Sequence, residues 1–233
     1  MKKLKSIALV ALFMSTSLFV SCSSDTDNPT NEETPEVSTG DYWPTAISNQ
    51  WVLNQGGSET TMKIISSEKI NGETYFKFDK FFSANTDVTA SATASLKKVQ
   101  GDYFIKLDDI VSNANGISSK ISGYEFVFFK DYLEVNKTWT GTYTQTTTID
   151  YPGIPVIKMN VKYTGTILEK GITASIKNVT YKDVIKFKLK LETSLEGQSA
   201  GSTEAEYLIA KGVGVIKFSF NDSSSELVSY KLN

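Results

Sequence analysis

Residues 42–233 predict an all-β domain: one large curved antiparallel sheet of about ten or eleven strands, closing as a barrel or half-barrel, with a sandwich as the alternative. Three observations lead there. Ile185, Phe187, Leu189 and Leu191 alternate with Lys186, Lys188, Lys190 and Glu192, the period of a strand with one face inward and one in water. Turn residues such as Asn71-Gly72 recur between short apolar runs, and that dipeptide suits a two-residue hairpin whose turn positions need positive φ. No apolar face of helical period extends over about ten residues, and only residues 85–95 leave room for a short helix.

Taken in order, strands are expected at 61–70 and 73–82, joined by Asn71-Gly72, and at 96–99 and 103–107, joined across Gln100-Gly101-Asp102. The run 124–129 breaks the alternation, because Phe126, Val127, Phe128 and Phe129 are apolar in succession. Such a strand is either covered on both faces or turned toward a cavity. The threonine-rich 139–149 suits a pleated surface, and 157–163 alternates Ile157, Met159, Val161 and Tyr163 with polar residues. After 184–192 come 207–211, 215–220 and 226–232, the last two joined by the polar run 222–225. Ile47-Ser48-Asn49-Gln50-Trp51 is echoed by Val135-Asn136-Lys137-Thr138-Trp139. With so few matches, a recurring turn before a buried tryptophan explains the echo better than duplication does.

Ahead of the domain, Lys2, Lys3 and Lys5 precede an uncharged, mostly apolar run from Ile7 to Val20. This is the order of a secretory signal peptide, and the run is shorter than the roughly 20 apolar residues of a membrane span. Leu18-Phe19-Val20-Ser21-Cys22 contains the one cysteine and resembles the bacterial lipoprotein signal, with Phe19 where that family usually has leucine. The resemblance implies removal of residues 1–21 and acylation of Cys22 with chains such as palmitate, several of which hold a protein firmly in a bilayer. Ser23 in place of an inner-membrane retention aspartate, and the acidic Ser24-Asp25-Thr26-Asp27, resemble lipoproteins sent to the outer membrane and displayed at the cell surface in the Bacteroidetes.

Residues 22–41 read as a disordered acidic tether: Asp25, Asp27, Glu32, Glu33, Glu36 and Asp41 appear without a lysine, alongside Pro29 and Pro35, too little apolar surface to offset ordering. Acids and lysines nearly balance thereafter, within a formal charge of -2 for the whole chain. The chain has no arginine and no histidine. That removes the bidentate fork for phosphate and carboxylate, the usual general base near neutral pH and the commonest metal ligand. A neutral domain without arginine has no basic stripe for nucleic acid, and a single cysteine allows no internal disulfide.

No catalytic constellation emerges. Lys211-Gly212-Val213-Gly214 lacks the spacing and the following helix of a phosphate loop and reads as a bulge or close approach in a strand. Asp108 and Asp109, as neighbours on a strand, would point to opposite faces, and Asn113-Ala114-Asn115-Gly116 has no acids at calcium-ligand positions. Serine hydrolysis lacks its histidine; Asp79, Glu125, Asp131 and Asp150 could form a glycosidase pair only by distant assembly.

The aromatics remain. Trp43, Trp51, Phe126, Phe128 and Trp139 are the candidate ligand-binding residues, for a sugar platform or a greasy pocket, although core filling is the ordinary use of such side chains. Tyr42-Trp43-Pro44 leading to Trp51, the hairpin "NGETYFKF" at 71–78 and the closing "AKGVGVIKF" at 210–218 resemble small outer-membrane lipoproteins of unknown function. These are similar in turn to the curved β half-barrels of lipoprotein carrier and receptor domains. The expectation is a non-enzymatic lipoprotein without cofactor or metal, attached to the membrane by its acyl anchor and binding a protein partner or glycan, or else carrying a lipid or other hydrophobic ligand.

Overall fold

In the computed structural model, residues 38–81, 93–114, 116–221 and 223–233 are described. The leader, Cys22 and the tether up to residue 37 lie outside them, as do residues 85–92 of the possible helix; Ala94 and Ser95 begin a strand. The elements are β1 (Gln50–Gln55), β2 (Ser58–Ile70), β3 (Glu73–Phe78), β4 (Ala94–Val99), β5 (Asp102–Leu107), β6 (Ile110–Ala114), β7 (Ile117–Ile121), β8 (Tyr124–Lys130), β9 (Thr138–Ile149), β10 (Ile157–Ile176), β11 (Val179–Leu195), β12 (Gln198–Ala210), β13 (Gly214–Phe220) and β14 (Ser223–Lys231). They form one antiparallel sheet in the order β6-β7-β9-β10-β11-β12-β13-β14-β1-β2-β3-β4-β5-β8.

The sheet has 14 strands, three more than the sequence marks. β1 has only Trp51 and Leu53 as buried residues, and β6 and β7 have none, so their periodicity is weak. β10 and β11 run for 20 and 17 residues, well beyond the alternating stretches, and in β10 Gly165 and Gly171 lie within the strand rather than ending it. The turn Asn71-Gly72 has the expected positive φ at both residues, as does Gln100-Gly101. Phe220 pairs with Ser223, so residues 223–225 belong to β14 rather than to the joining turn.

The sheet curls without closing through backbone pairing, and the join between β8 and β9 shows how. β7 pairs with β9 through Ser119↔Ile149, Lys120↔Thr148 and Ile121↔Thr147, and Ser122 N–H continues the ladder to Thr146 C=O at 2.8 Å. Beyond Gly123 the chain enters β8, which pairs with β5, and side chains span the remaining gap. The Trp139 indole Nε1–H donates to Val127 C=O at 2.9 Å. The Tyr163 hydroxyl accepts from Val127 N–H at 3.4 Å, and the Tyr124 and Tyr143 rings stack at 4.1 Å with 3° between planes. An edge that would expose unpaired backbone groups is thereby capped at Val127.

Glycines make this cap possible. Gly165 stands opposite Trp139 and Gly141 opposite Tyr163 in the β9–β10 ladder. A Cβ on Gly165 would collide with the Trp139 ring, and one on Gly141 with the Tyr163 ring. Two aromatic–glycine pairs of reversed sense therefore lie side by side, each ring flat over the bare backbone of the partner strand.

β8 also explains its own unbroken apolar run. Phe129 pairs with Tyr103 and Val127 with Phe104, leaving Phe128 as the extra residue of a β-bulge. Phe128 and Phe129 are consequently both buried, at 2% and 0% exposure. Phe128 packs edge-on against Phe187 and Tyr207, and Phe129 stacks on Phe187 at 4.9 Å. Of the two readings of 124–129, the interior at this level is filled rather than hollow.

The tryptophan echo is repeated in hydrogen bonds. Ser48 and Asn136 both have positive φ. Ser48 N–H donates to Ile64 C=O and Asn136 N–H to Ile167 C=O, each at 2.8 Å; Ile64 N–H returns to Asn49 C=O and Ile167 N–H to Lys137 C=O. Trp51 then sends its indole N–H to Val213 C=O at 2.6 Å, as Trp139 does to Val127. The same local device starts β1 and β9, so the likeness goes deeper than a shared turn.

Gly165→Ala should therefore destabilise the fold by about 1–3 kcal/mol, the ordinary range for overpacking, and more than Thr164→Ala on the opposite face; equilibrium urea unfolding measures both. Phe128→Ala should cost about 3–5 kcal/mol, as for a buried phenyl ring, and the half-buried Phe126→Ala less. Equal small losses for the two would mean that the interior is not packed as described.

Candidate functional site

The five aromatic candidates do not form an exposed platform. Trp43 and Trp51 are fully buried, Phe128 and Trp139 nearly so, and Trp43 meets Trp51, Phe78 and Phe128 with ring centroids within 5.8–6.4 Å. Stacking a sugar requires a ring face in water, and these four rings are core. Phe126 alone of the five is half-buried, in contact with Tyr124, Tyr143 and Tyr163.

Around Phe126 the inward faces of β8, β9 and β12 present a half-buried rim that includes Tyr124, Tyr143 and Tyr207. Burial pushes all three phenols above the ordinary tyrosine range, with the Tyr124 hydroxyl beside it adding to the effect at Tyr143. They are neutral hydrogen-bonding groups, unfit to act as bases near neutral pH. Tyr143 and Tyr207 were legible only as inward positions of a period-two pattern, which does not separate core from rim.

Of the four candidate acids, Asp79, Glu125 and Asp131 are each engaged by different partners. Asp79 Oδ1 accepts from the backbone N–H of Lys63 and of Lys80, each at 2.7 Å. Glu125 and Glu73 hold the Lys97 ammonium from two sides at 2.7 Å, with the Phe104 ring 4.3 Å from Nζ. Burial alone would lower the Lys97 pKa, but the hydrogen bonds to Glu125 and Glu73 outweigh it and hold the proton above the usual lysine range. Asp108 and Asp109 lie between strands rather than within one, paired with Lys106 and Lys120. Among the described residues no group of three or more His, Cys, Asp or Glu could hold a metal ion. Lys211-Gly212-Val213 is the hairpin turn between β12 and β13, and the expected close approach falls at Gly214, the first residue of β13, where a Cβ would lie 3.0 Å from Trp51 Nε1; the Val213 carbonyl receives the Trp51 indole.

Asp131 has a different task. It is fully buried directly after β8, and its carboxylate accepts from Ser38 Oγ at 2.7 Å and Thr39 N–H at 3.0 Å, while Thr39 Oγ1 donates to the Asp131 carbonyl. Burial pushes its carboxyl up against these hydrogen bonds. The Tyr103 hydroxyl accepts from Tyr42 N–H at 2.8 Å and donates to Gly40 C=O at 3.1 Å. Lys98 reaches the Asp41 carboxylate and the Trp43 carbonyl, and Gly212 N–H reaches Asp41 C=O. The leading segment is thus clamped from residue 38 onward and delivers Trp43 into the core.

At the far end of the long strands, every residue from Tyr151 to Ile157 is exposed, with Tyr151 at 55%, Ile154 at 44%, Val156 at 51% and Ile157 at 42%. Sequence reasoning passed over this loop. The available signal was an uncharged run holding Pro152 and Pro155 where a connection between strands is normally polar.

Asp131→Ala should free the clamped segment: limited proteolysis of the variant should cut within residues 38–41, which the wild-type chain protects, while the sheet keeps its circular-dichroism spectrum. Protection retained in the variant would show that the Tyr103 and Lys98 contacts suffice.

Known protein families and curated proteins contain no match to this chain. Two solved structures are similar. A candidate lipoprotein from Parabacteroides distasonis ATCC 8503 superposes with a TM-score of 0.55 at 11% identity, covering 82% of this chain and 99% of its own. A candidate exported protein with a YmcC-like fold, from Bacteroides fragilis NCTC 9343, gives a TM-score of 0.36 at 8% identity, covering 83% and 100%. The second likeness is too weak to support an argument. The first is one of fold: the chain shares its large antiparallel sheet with a protein classed as a candidate lipoprotein.

Proposed function

We propose that this chain is an exported lipoprotein, acylated at Cys22 and held at the outer membrane facing outward, whose sheet is a non-enzymatic binding or assembly module. The observation that carries this reading is the position of the one cysteine, between an export leader and an acidic segment. The fold likeness to a candidate lipoprotein agrees with it. The 15 residues from Ser23 to Val37 separate Cys22 from the Asp131 clamp, which begins at Ser38.

The absence of a catalytic role is supported by chemistry: the chain has no histidine or arginine, Asp79, Glu125 and Asp131 are engaged apart from one another, and burial holds the rim tyrosines neutral. The interior at Phe128 and Phe129 is packed, so a ligand would have to meet the rim or the outer surfaces.

Cys22→Ser should abolish incorporation of a labelled fatty acid and shift the protein from carbonate-washed membranes to the soluble fraction. Recovery of the variant in those washed membranes would defeat the anchor. Protease added to intact cells should cut the wild-type chain between residues 23 and 37 if the domain is displayed outward; cutting only after lysis would reverse that orientation.

A further inference from the structure

The loop between β9 and β10 has a composition and geometry that the proposed anchor does not use. Seven consecutive exposed residues, Tyr151-Pro152-Gly153-Ile154-Pro155-Val156-Ile157, carry no charge. Leu195, at the end of β11 and 42% exposed, adds to them: it pairs with Met159, which places it diagonal to Ile157 on the same face. Asp150 and Lys158 flank the loop with cancelling charges, and the exposed Glu196 follows Leu195 in the β11–β12 turn. The loop is also pinned, because Asp150 N–H donates to Ser118 C=O at 2.8 Å, Tyr151 N–H to Ile149 C=O at 2.9 Å and Ile154 N–H to Tyr151 C=O at 3.3 Å.

We propose that this loop, with Leu195, is a membrane-inserting tip whose occupant is the surface of a phospholipid bilayer. Area favours a bilayer over a protein. Five apolar side chains, each about half exposed, offer on the order of 400 Å², the size of a functional surface patch, whereas a stable protein interface takes about 800 Å² from each partner. A few apolar side chains pushed into the headgroup region suffice for reversible membrane binding.

The backbone argues in the same direction. Entering an apolar medium penalises unpaired N–H groups. Pro152 and Pro155 have none, Tyr151 and Ile154 have spent theirs within the turn, and Ile157 lies in the β9–β10 ladder opposite Thr147, which leaves Gly153 and Val156 as the two loop residues whose N–H groups fall outside these backbone hydrogen bonds. The same prolines make the loop a poor template for an added peptide strand. The tip also lies far from the clamp: Lys170 donates to the Tyr132 carbonyl beside Asp131, and Ile157 is 13 residues back along β10, about 40 Å at strand rise. Insertion at the tip is therefore separate from attachment at the clamped end and does not rest on Cys22.

The test uses the chain from residue 22 to 233 carrying Cys22→Ser, so that no acyl chain contributes, with folding checked by thermal unfolding. It should float with vesicles of phosphatidylethanolamine and phosphatidylglycerol and equally with vesicles of phosphatidylcholine, with little dependence on salt, since the tip is uncharged. Adding Ile154→Asp and Val156→Asp should reduce the vesicle-bound fraction at least tenfold without changing the melting temperature. In a separate Tyr151→Trp variant, the added indole should be quenched by lipids brominated on their acyl chains. Absence of flotation by the folded chain, or equal binding by the double variant, would overturn the proposal. So would a dimer in sedimentation that the double variant dissociates, because the tip would then be buried against a second copy. The anchor is read separately by fatty-acid labelling at Cys22, so each reading can fail alone.

Discussion

The structure depends on how a curled sheet satisfies the backbone of its last strand. β8 has a partner on one side only, and at Val127 both backbone groups on the other side are met by the Trp139 indole and the Tyr163 hydroxyl. Those side chains lie across the gap because Gly165 and Gly141 leave the backbone beneath them bare. Replacing a strand by two rings fixes the spacing of β8 from β9, and hence the curvature of everything between them. It also leaves the join held by side-chain contacts rather than by a backbone ladder.

That spacing determines what fills the interior. With β8 bulged at Phe128, two successive phenylalanines point inward, and they meet Phe187 from β11 and Trp43 from the leading segment. Trp43 arrives there because Asp131, Tyr103 and Lys98 clamp residues 38–43 across one end of the sheet. The buried carboxylate at Asp131 is tolerated only with hydrogen bonds to replace water, and Ser38 and Thr39 supply them. The clamp is thus both a polar solution for Asp131 and the means of delivering an aromatic plug.

Function follows from where surface is left over. The candidate aromatics are consumed by the core, except for Phe126 on the rim, and Asp79, Glu125 and Asp131 are engaged apart from one another rather than gathered for chemistry. The long β9–β10 hairpin outruns the core and places an uncharged loop in solvent, beside Leu195 of β11 and at the end away from the clamp. A lipid anchor at one end and an apolar tip at the other would give the domain two independent means of meeting membranes.

The all-β class, the antiparallel hairpins and most strands were legible in the sequence because period-two alternation and positive-φ turn residues are local properties. Lys186 to Glu192 and Asn71-Gly72 need no distant partner to be read. β6 and β7 were not legible, since neither buries a residue; they pair with each other, and β7 alone joins them to the rest of the sheet, through β9. The extension of β10 through Gly165 was hidden for a related reason: glycine reads as a break until the Trp139 ring opposite it is known. The expectation of a leader ending at Cys22 rests on a linear pattern, which is read without a fold. Whether Trp43, Phe126 and Phe128 would be platform, pocket or core depended on a bulge, a clamp and a seam, each made by residues far apart in the chain. Only tertiary structure brings those together, because burial is a property of what packs on a side chain and not of the side chain itself.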